Sequence, residues 1–365
     1  MNPRSVLGEP PQETVPAAPP LLGGNMAMRT LTVLSLIGGL LLGTALVGYF
    51  GFGGVLHALL SVGWTGFLAI IAYQLGVIAL LGLCWYVLVR RSAPLPAFVW
   101  GRLIRDSASE VLPLSQLGGF VMGARAATLL GAPGPVAVAS TIVDVTMEMF
   151  AQLGYTALGL GILAWQKPDD ALISWTALGL VVALLSAIGF VAVQRRGLGI
   201  VERAIARITK QWIKSPGALP RPVHEEIRDI YLHPRALWLG GGLHLPAWIA
   251  SGVQTWIALR FMGIDLGLGS VLAIESLLYA IRSVAFAVPN ALGVQEGAYV
   301  MLGAAFGLTP ETALALSLLK RARDLAIGVP ALLVWQMLES GRLLGRRLSV
   351  TSRASQHPAA PMGGE

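Results

Sequence analysis

The chain has 365 residues, of which 55% are hydrophobic and only 12% are charged. Soluble domains carry about 25% charged residues, so this composition excludes an ordinary soluble domain and indicates a membrane protein. The net charge is +7, and the single cysteine excludes an intrachain disulfide. The basic residues lie beside apolar stretches, which the positive-inside rule explains without a nucleic-acid partner.

Residues 1–28 are rich in proline and glycine, and we expect a disordered tail there. Apolar stretches long enough to cross a bilayer, which takes about 17 to 25 residues, follow this tail. They are Thr30–Phe50, Trp64–Val89, Val136–Trp165, Leu172–Val193, Ala236–Phe261, Leu266–Val288 and Glu311–Leu338. We therefore predict a single transmembrane domain over residues 29–340 and a second, basic disordered tail over residues 341–365.

The positions of arginine and lysine predict the orientation, because cytoplasmic loops are enriched in both. Arg90 and Arg91 follow the second apolar stretch, loop 194–235 carries nine basic residues, and further arginines follow the last stretch. Loops 51–63 and 166–170 are poor in positive charge. Loop 194–235 and both termini are therefore predicted to be cytoplasmic.

Seven full crossings would place the two termini on opposite sides of the membrane, whereas both are predicted to be cytoplasmic. A repeated pattern resolves this conflict. Pro113 precedes Pro289 by 176 residues, and Gly131 and Gly307 keep the same offset. We predict an all-α polytopic membrane protein of two inverted repeats, each with three spans and a re-entrant or broken helical hairpin. The repeats are residues 30–165 and residues 172–338. Interrupted helices at matching positions are typical of transporters, and the alternative is chance spacing of two residues that are common in membrane helices.

The hairpins are predicted to break where proline and glycine interrupt apolar sequence. Proline removes a backbone donor and clashes with the preceding turn, and backbone freed at membrane depth is tolerated only inside protein or along a cavity. The residues predicted to form the breaks are Pro113, Gly118, Gly119, Pro289 and Gly293. The segment Trp100–Leu114 is too polar for a lipid-facing span, so we expect it at the interface or along a cavity.

Charged residues inside the apolar stretches predict a polar cavity. A charge at the bilayer centre costs roughly 2.5 to 3.5 kcal/mol, so such residues face an interior and have partners. The predicted substrate-binding residues of this cavity are Asp144, Glu148, Glu275, Tyr279, Arg282, Asn290, Glu296, Lys320, Arg321, Arg323 and Asp324. For any one of them, the alternative is a structural ion pair that fixes helix packing.

No catalytic residue, metal site or cofactor is predicted. The five histidines are scattered, and none has a partner at the sequence spacing of metal ligands. The only cysteine, Cys84, lies within an apolar stretch.

Two motifs resemble a known family. The stretch PNALGVQEG, Pro289–Gly297, is similar to the Pro-x-x-x-Gly-x-x-Glu-Gly signature of the lysylphosphatidylglycerol synthase transmembrane-region family, and LLKRARDL resembles that family's charged helix. The resemblance covers about residues 30–340, and the sequence of the motifs is most similar to that of the subgroup associated with hopanoid biosynthesis (HpnL-type). It implies a bacterial inner-membrane protein that contacts membrane lipids, with lipid-biosynthesis enzymes as further partners.

The resemblance implies lipid translocation rather than the synthase reaction, because the 25 polar residues after the last span do not correspond to a transferase domain. We therefore predict a lipid transporter or flippase without enzymatic activity, whose substrate is a polar-headed phospholipid or a hopanoid-type lipid. Two alternatives stay open at this point. One is a membrane enzyme that modifies lipid head groups, and the other is a non-catalytic subunit of a lipid-biosynthesis complex.

Overall fold

A computed structural model describes residues 52–90, 92–112, 116–167, 172–196, 221–285 and 288–355, together with Leu41, Gly48 and Tyr49. Over these residues the structure is helical and contains no strand, which confirms the predicted all-α class. The predicted tail 1–28 and nearly all of the predicted span Thr30–Phe50 lie outside the described residues. The inverted-repeat arrangement stays a prediction.

The described ranges contain eleven α-helices, numbered here in chain order. They are α1 (Phe52–Leu60), α2 (Gly63–Leu88), α3 (Leu95–Val111), α4 (Gln116–Leu129), α5 (Gly134–Gln166), α6 (Leu172–Arg196), α7 (Arg221–Tyr231), α8 (Pro234–Phe261), α9 (Leu268–Val284), α10 (Val294–Ala305) and α11 (Pro310–Ser355). A short 3₁₀ turn over Pro289–Ala291 lies between α9 and α10.

Two helices occupy segments that the sequence analysis treats as loops. Helix α1 lies inside loop 51–63, and helix α7 lies inside the basic loop 194–235. Helix α7 buries Val223, Ile227 and Ile230 against the end of α2 and the first half of α5. These three residues recur at helical spacing, which identifies an amphipathic helix. A prediction that rests on long apolar runs overlooks so short a stripe.

The C-terminal boundary is also different from the prediction. Helix α11 continues to Ser355, so residues 341–355 are helical and do not form the predicted disordered tail. This segment contains leucine and arginine, both good helix formers, and residues 341–357 contain no proline that would stop the helix. Residues 356–365 lie outside the described part of the chain.

Two helices among the described residues, α2 and α5, have both the length and the apolar composition of a membrane span. Helix α8 is long enough but buries His244 and Gln254, which lower its hydropathy. Helix α6 exposes Leu178, Leu185 and Ile188 on its outer surface. An apolar surface outside and polar groups inside are the reverse of a soluble domain, and suit a helix bundle in lipid.

Glycine residues allow α3 and α4 to pack as a close hairpin. A Cβ atom on Gly123 would lie 2.8 Å from the carbonyl oxygen of Gly101, and one on Gly119 would lie 2.7 Å from that of Arg105. Gly118 and Gly119 were predicted to form the break, but helix α3 ends at Val111 and α4 begins at Gln116, so both glycines lie inside α4. Pro113 itself lies outside the described residues.

The second break has a left-handed backbone. Asn290 has a φ of 51°, Ala291 of 46° and Gly293 of 76°. The chain then enters α10, whose N-terminus is capped by Glu296: its Oε2 accepts a hydrogen bond of 2.8 Å from the Gly293 N–H. Pro289 and Gly293 thus lie at the interruption between α9 and α10, at the position predicted for it.

Candidate functional site

A cavity of about 420 Å³ lies among α2, α3, α5, α8, α9 and α11. Small-molecule sites typically occupy 300–1,000 Å³, so this volume accommodates a small polar group. Four arginines and four carboxylates line it. They are Arg102, Arg105, Arg282, Arg323, Asp106, Glu110, Glu148 and Asp324.

The first group of charges joins α3 to α5. Arg102 and Arg105 lie one turn apart on α3, and Asp144 and Glu148 lie one turn apart on α5, so two matching faces meet. Arg102 Nη2 donates to Glu148 Oε1 at 2.7 Å, and Arg105 Nη1 donates to Asp144 Oδ2 at 2.7 Å. Arg105 also donates to Glu148, and Arg102 Nε donates to Asp106 Oδ2 at 2.9 Å. These charge-assisted bonds fix both arginines along one wall of the cavity.

His244 of α8 lies beside this group. Its Nδ1 lies 2.7 Å from the carbonyl oxygen of Gly240, and its Nε2 lies 3.3 Å from Asp144 Oδ1. Both side chains are completely buried. No partner for His244 was predicted, because α5 and α8 are distant in the chain.

Asp144, Glu148 and His244 place one ligand atom each within 4.8 Å of one another, a separation that metal ligands also show. Both carboxylates already accept hydrogen bonds from Arg102 and Arg105. Two guanidinium groups at this position repel a metal cation, so we do not assign a metal site to the three residues.

The second group of charges joins α9 to α3 and to the break before α10. Arg282 Nη2 donates to Glu110 Oε1 at 2.9 Å and lies 3.4 Å from Asn290 Oδ1. Asn290 Nδ2 donates to the backbone carbonyl of Glu110 at 2.7 Å. On α11, Arg323 Nη2 donates to the neighbouring Asp324 at 2.7 Å, and Arg323 also donates to Gln254 of α8.

Two further ion pairs lie outside the cavity lining. Lys320 Nζ donates to Glu275 Oε2 at 2.7 Å and to the Tyr299 hydroxyl at 2.9 Å. Arg321 Nε donates to Glu296 Oε1 at 2.6 Å. These pairs connect α9, α10 and α11 around a core that contains Ile274, Leu278 and Leu316.

The remaining cavity wall combines aromatic and aliphatic side chains with uncharged polar ones. Trp248 packs edge-on against Tyr279 with ring centroids 4.6 Å apart, and its buried indole N–H has no hydrogen-bond partner within the described part of the chain. Val77, Ile78 and Leu81 of α2 also line the cavity. The chamber therefore offers charged, aromatic and aliphatic surface to one occupant.

The structure divides the predicted site residues into three groups. Five line the cavity: Glu148, Tyr279, Arg282, Arg323 and Asp324. Asp144 and Asn290 contact those residues or their partners from behind. Glu275, Glu296, Lys320 and Arg321 form the ion pairs of α9, α10 and α11.

Sequence reasoning missed four charged lining residues of α3, namely Arg102, Arg105, Asp106 and Glu110. All four lie in Trp100–Leu114, the segment that the sequence analysis described as too polar to face lipid. That polarity indicated a cavity wall, and helical spacing could have identified Arg102, Arg105 and Asp106 as its lining residues.

An all-helical bundle with an apolar exterior and a buried, ion-paired chamber defines a membrane protein with an internal polar site. The chain belongs to the lysylphosphatidylglycerol synthase TM region family, whose model matches residues 35–331. The match contains every charged residue of the cavity, and family membership identifies a membrane protein that acts on lipids. No curated protein matches the chain.

Proposed function

We propose that the protein is an integral membrane transporter of the flippase type, which moves a polar-headed lipid between leaflets of a bacterial inner membrane. The observation that supports this proposal is the cavity with eight charged side chains in a chain whose family acts on lipids. Its substrate is a phospholipid or a hopanoid-type lipid. The head group enters the cavity while the hydrocarbon part stays in lipid.

The cost of burying charge argues for a working cavity. A charged side chain at the bilayer centre costs roughly 2.5 to 3.5 kcal/mol on the most lenient scale. Apolar residues could pack these helices at no such cost, and replacing buried ion pairs by apolar groups is often neutral or stabilising. Charges that surround an open volume supply hydrogen bonds to an occupant, which packing alone does not require.

The balance of charge in the cavity favours a head group without net charge. Arg102, Arg105, Arg282 and Arg323 each already have a carboxylate partner. A purely anionic head would have to displace a carboxylate from an arginine, whereas a zwitterionic head or a polyol can bond to both members of a pair. The indole N–H of Trp248, which has no partner among the described residues, offers one more donor.

In this proposal the conformational change takes place at the helix breaks. Helices α3 and α9 both end beside the cavity, and Glu110 at the end of α3 contacts both Arg282 and Asn290. Transporters with inverted repeats rock one repeat against the other around a fixed site. In this chain, separation of Glu110 from its two partners would open one side of the cavity.

The experiment is a leaflet assay in proteoliposomes of phosphatidylcholine with a trace of NBD-labelled phosphatidylethanolamine or phosphatidylglycerol. Dithionite bleaches only the outer leaflet, so transport appears as loss of the protected fraction. We expect the wild type to expose the zwitterionic probe faster than the anionic one. We expect Arg282→Gln to abolish the movement of both probes. The matched control is Arg260→Gln, which removes an exposed pair with Asp265. A wild type that moves neither probe, or an active Arg282→Gln, contradicts the proposal.

Two other functions give different results. A head-group enzyme would turn over labelled lipid in detergent, where no second leaflet exists. A non-catalytic subunit would keep its function when the cavity charges are replaced and would fail only in complex assembly. Leaflet-resolved lipid analysis of a strain that lacks the protein would name the lipid and the direction of movement.

A further inference from the structure

The charges of the interior ion pairs described above do not balance. Seven carboxylates belong to these pairs: Asp106, Glu110, Asp144, Glu148, Glu275, Glu296 and Asp324. Six bases oppose them: Arg102, Arg105, Arg282, Lys320, Arg321 and Arg323. One negative charge is left over, and an uncompensated buried charge is the most costly polar feature of a protein interior.

The geometry places a compensating proton at His244. A carbonyl oxygen can only accept, so the contact of 2.7 Å with Gly240 requires a hydrogen on Nδ1. Nε2 lies 3.3 Å from Asp144 Oδ1, and neither atom has a hydrogen-bond partner among the described residues. A second proton on Nε2 makes His244 an imidazolium and brings the network to neutrality. Asp144 then lies between His244 and Arg105.

Glu148 connects this buried pair to the cavity. It lines the cavity, and one of its carboxylate oxygens lies within 4.8 Å of the facing atoms of both Asp144 and His244. The other group at the imidazole is the Cys84 thiol of α2. Arg102 and Arg105 of α3 hold the two carboxylates from the opposite side. Asp144 is thus the first acceptor for a proton that leaves Nε2, and Glu148 is the neighbouring carboxylate that also lines the cavity.

We propose that Asp144 and His244 form a proton-binding site whose occupancy is coupled to lipid movement. The coupling rests on the proposed transport function. When the proton leaves, the network carries one excess negative charge beside Arg102 and Arg105, which weakens the bonds that hold Glu148 at the cavity wall. Binding and release of one proton thus switch the cavity between two arrangements of the same ion pairs.

Stability measurements test the proton-binding part without any transport. His244→Asn keeps an amide that can donate to Gly240 but cannot become cationic. We expect it to lower the melting temperature of the protein in nanodiscs, because the excess negative charge stays. The double variant Asp144→Asn/His244→Asn removes that charge, and we expect it to melt above His244→Asn. A double variant that melts no higher than His244→Asn overturns the site.

A pH gradient tests the coupling. In the leaflet assay with NBD-phosphatidylethanolamine, we expect an imposed gradient to change the wild-type rate and to leave the residual rate of Asp144→Asn unchanged. The control is His233→Gln, a partly exposed histidine at the start of α8 that should respond like the wild type. A wild-type rate that ignores the gradient overturns the coupling. If the wild type moves no lipid, the transport proposal and the coupling both fail, while the melting results still judge the proton site.

Discussion

Glu110 at the end of α3 bonds to two residues of the second half of the chain. Its side chain accepts from Arg282 Nη2 at 2.9 Å, and its backbone carbonyl accepts from Asn290 Nδ2 at 2.7 Å. Arg282 lies on α9 before the second helix break, and Asn290 lies in it. The end of α3 and the break after α9 are therefore joined at a single residue, and neither can move without affecting the other.

Removal of either member of the Glu110–Arg282 pair should stop lipid movement. Glu110→Gln and Arg282→Gln each leave a partly buried charge without its partner. In a double-mutant cycle on unfolding, we expect a coupling energy of about 1 to 3 kcal/mol, typical of residues in one network. The comparison pair is Arg90 with Asp229, which is half exposed and should couple by less than about 1 kcal/mol. Equal coupling in the two pairs would contradict this assignment.

The Lys320–Glu275 pair should behave as a structural element. Glu275 is completely buried and Lys320 is nearly so. Lys320→Met leaves the carboxylate without a cation, and breaking a buried pair in this way costs about 3 to 5 kcal/mol. The double variant Glu275→Leu/Lys320→Met should recover most of that loss in thermal unfolding and should keep lipid transport. Loss of transport in a well-folded double variant would place this pair in the functional site.

The sequence predicted the helical class and the position of the second break. These features depend on local periodicity and on proline and glycine, which a single chain displays directly. The sequence could not distinguish the role of Lys320, which forms an ion pair outside the cavity, from that of Arg323, which lines it, because both lie on α11. Their roles depend on how α11 is rotated toward α9 and α8, which is a property of packing.

The residues of α3 were missed for a related reason. Arg102 and Arg105 acquire their role from Asp144 and Glu148, which follow about 40 residues later. The polarity of their segment indicated the interface or a cavity wall, but it did not show which of its charged residues have partners on α5. His244 was missed in the same way, because its partner lies on another helix.

The glycines of the α3–α4 hairpin should resist enlargement. Gly119→Ala would place a Cβ atom 2.7 Å from the carbonyl oxygen of Arg105, and that backbone cannot move without shifting the arginine in the cavity wall. We expect a loss of about 1 to 3 kcal/mol from overpacking together with slower transport. Gly76→Ala on α2 is the control, because no described atom beyond its chain neighbours and its own helix backbone lies within 4 Å of its Cβ position. Thermal unfolding of Gly76→Ala should show no loss, since alanine favours a helix by about 1 kcal/mol over glycine.

Water should reach the cavity but not the apolar surface of α6. The chain has one cysteine, Cys84, which is completely buried, so the wild type provides an unreactive background for a membrane-impermeant thiosulfonate. Ser251→Cys places a thiol on the cavity wall, and Leu185→Cys places one on the exposed face of α6. The thiolate, which forms in water and not in hydrocarbon, attacks the thiosulfonate sulfur to form a mixed disulfide and releases a sulfinate. We expect mass spectrometry to find the label on the Ser251→Cys variant alone. Equal labelling of both variants would mean that α6 faces solvent, and an unlabelled Ser251→Cys variant would mean that the cavity is closed to water in the resting state.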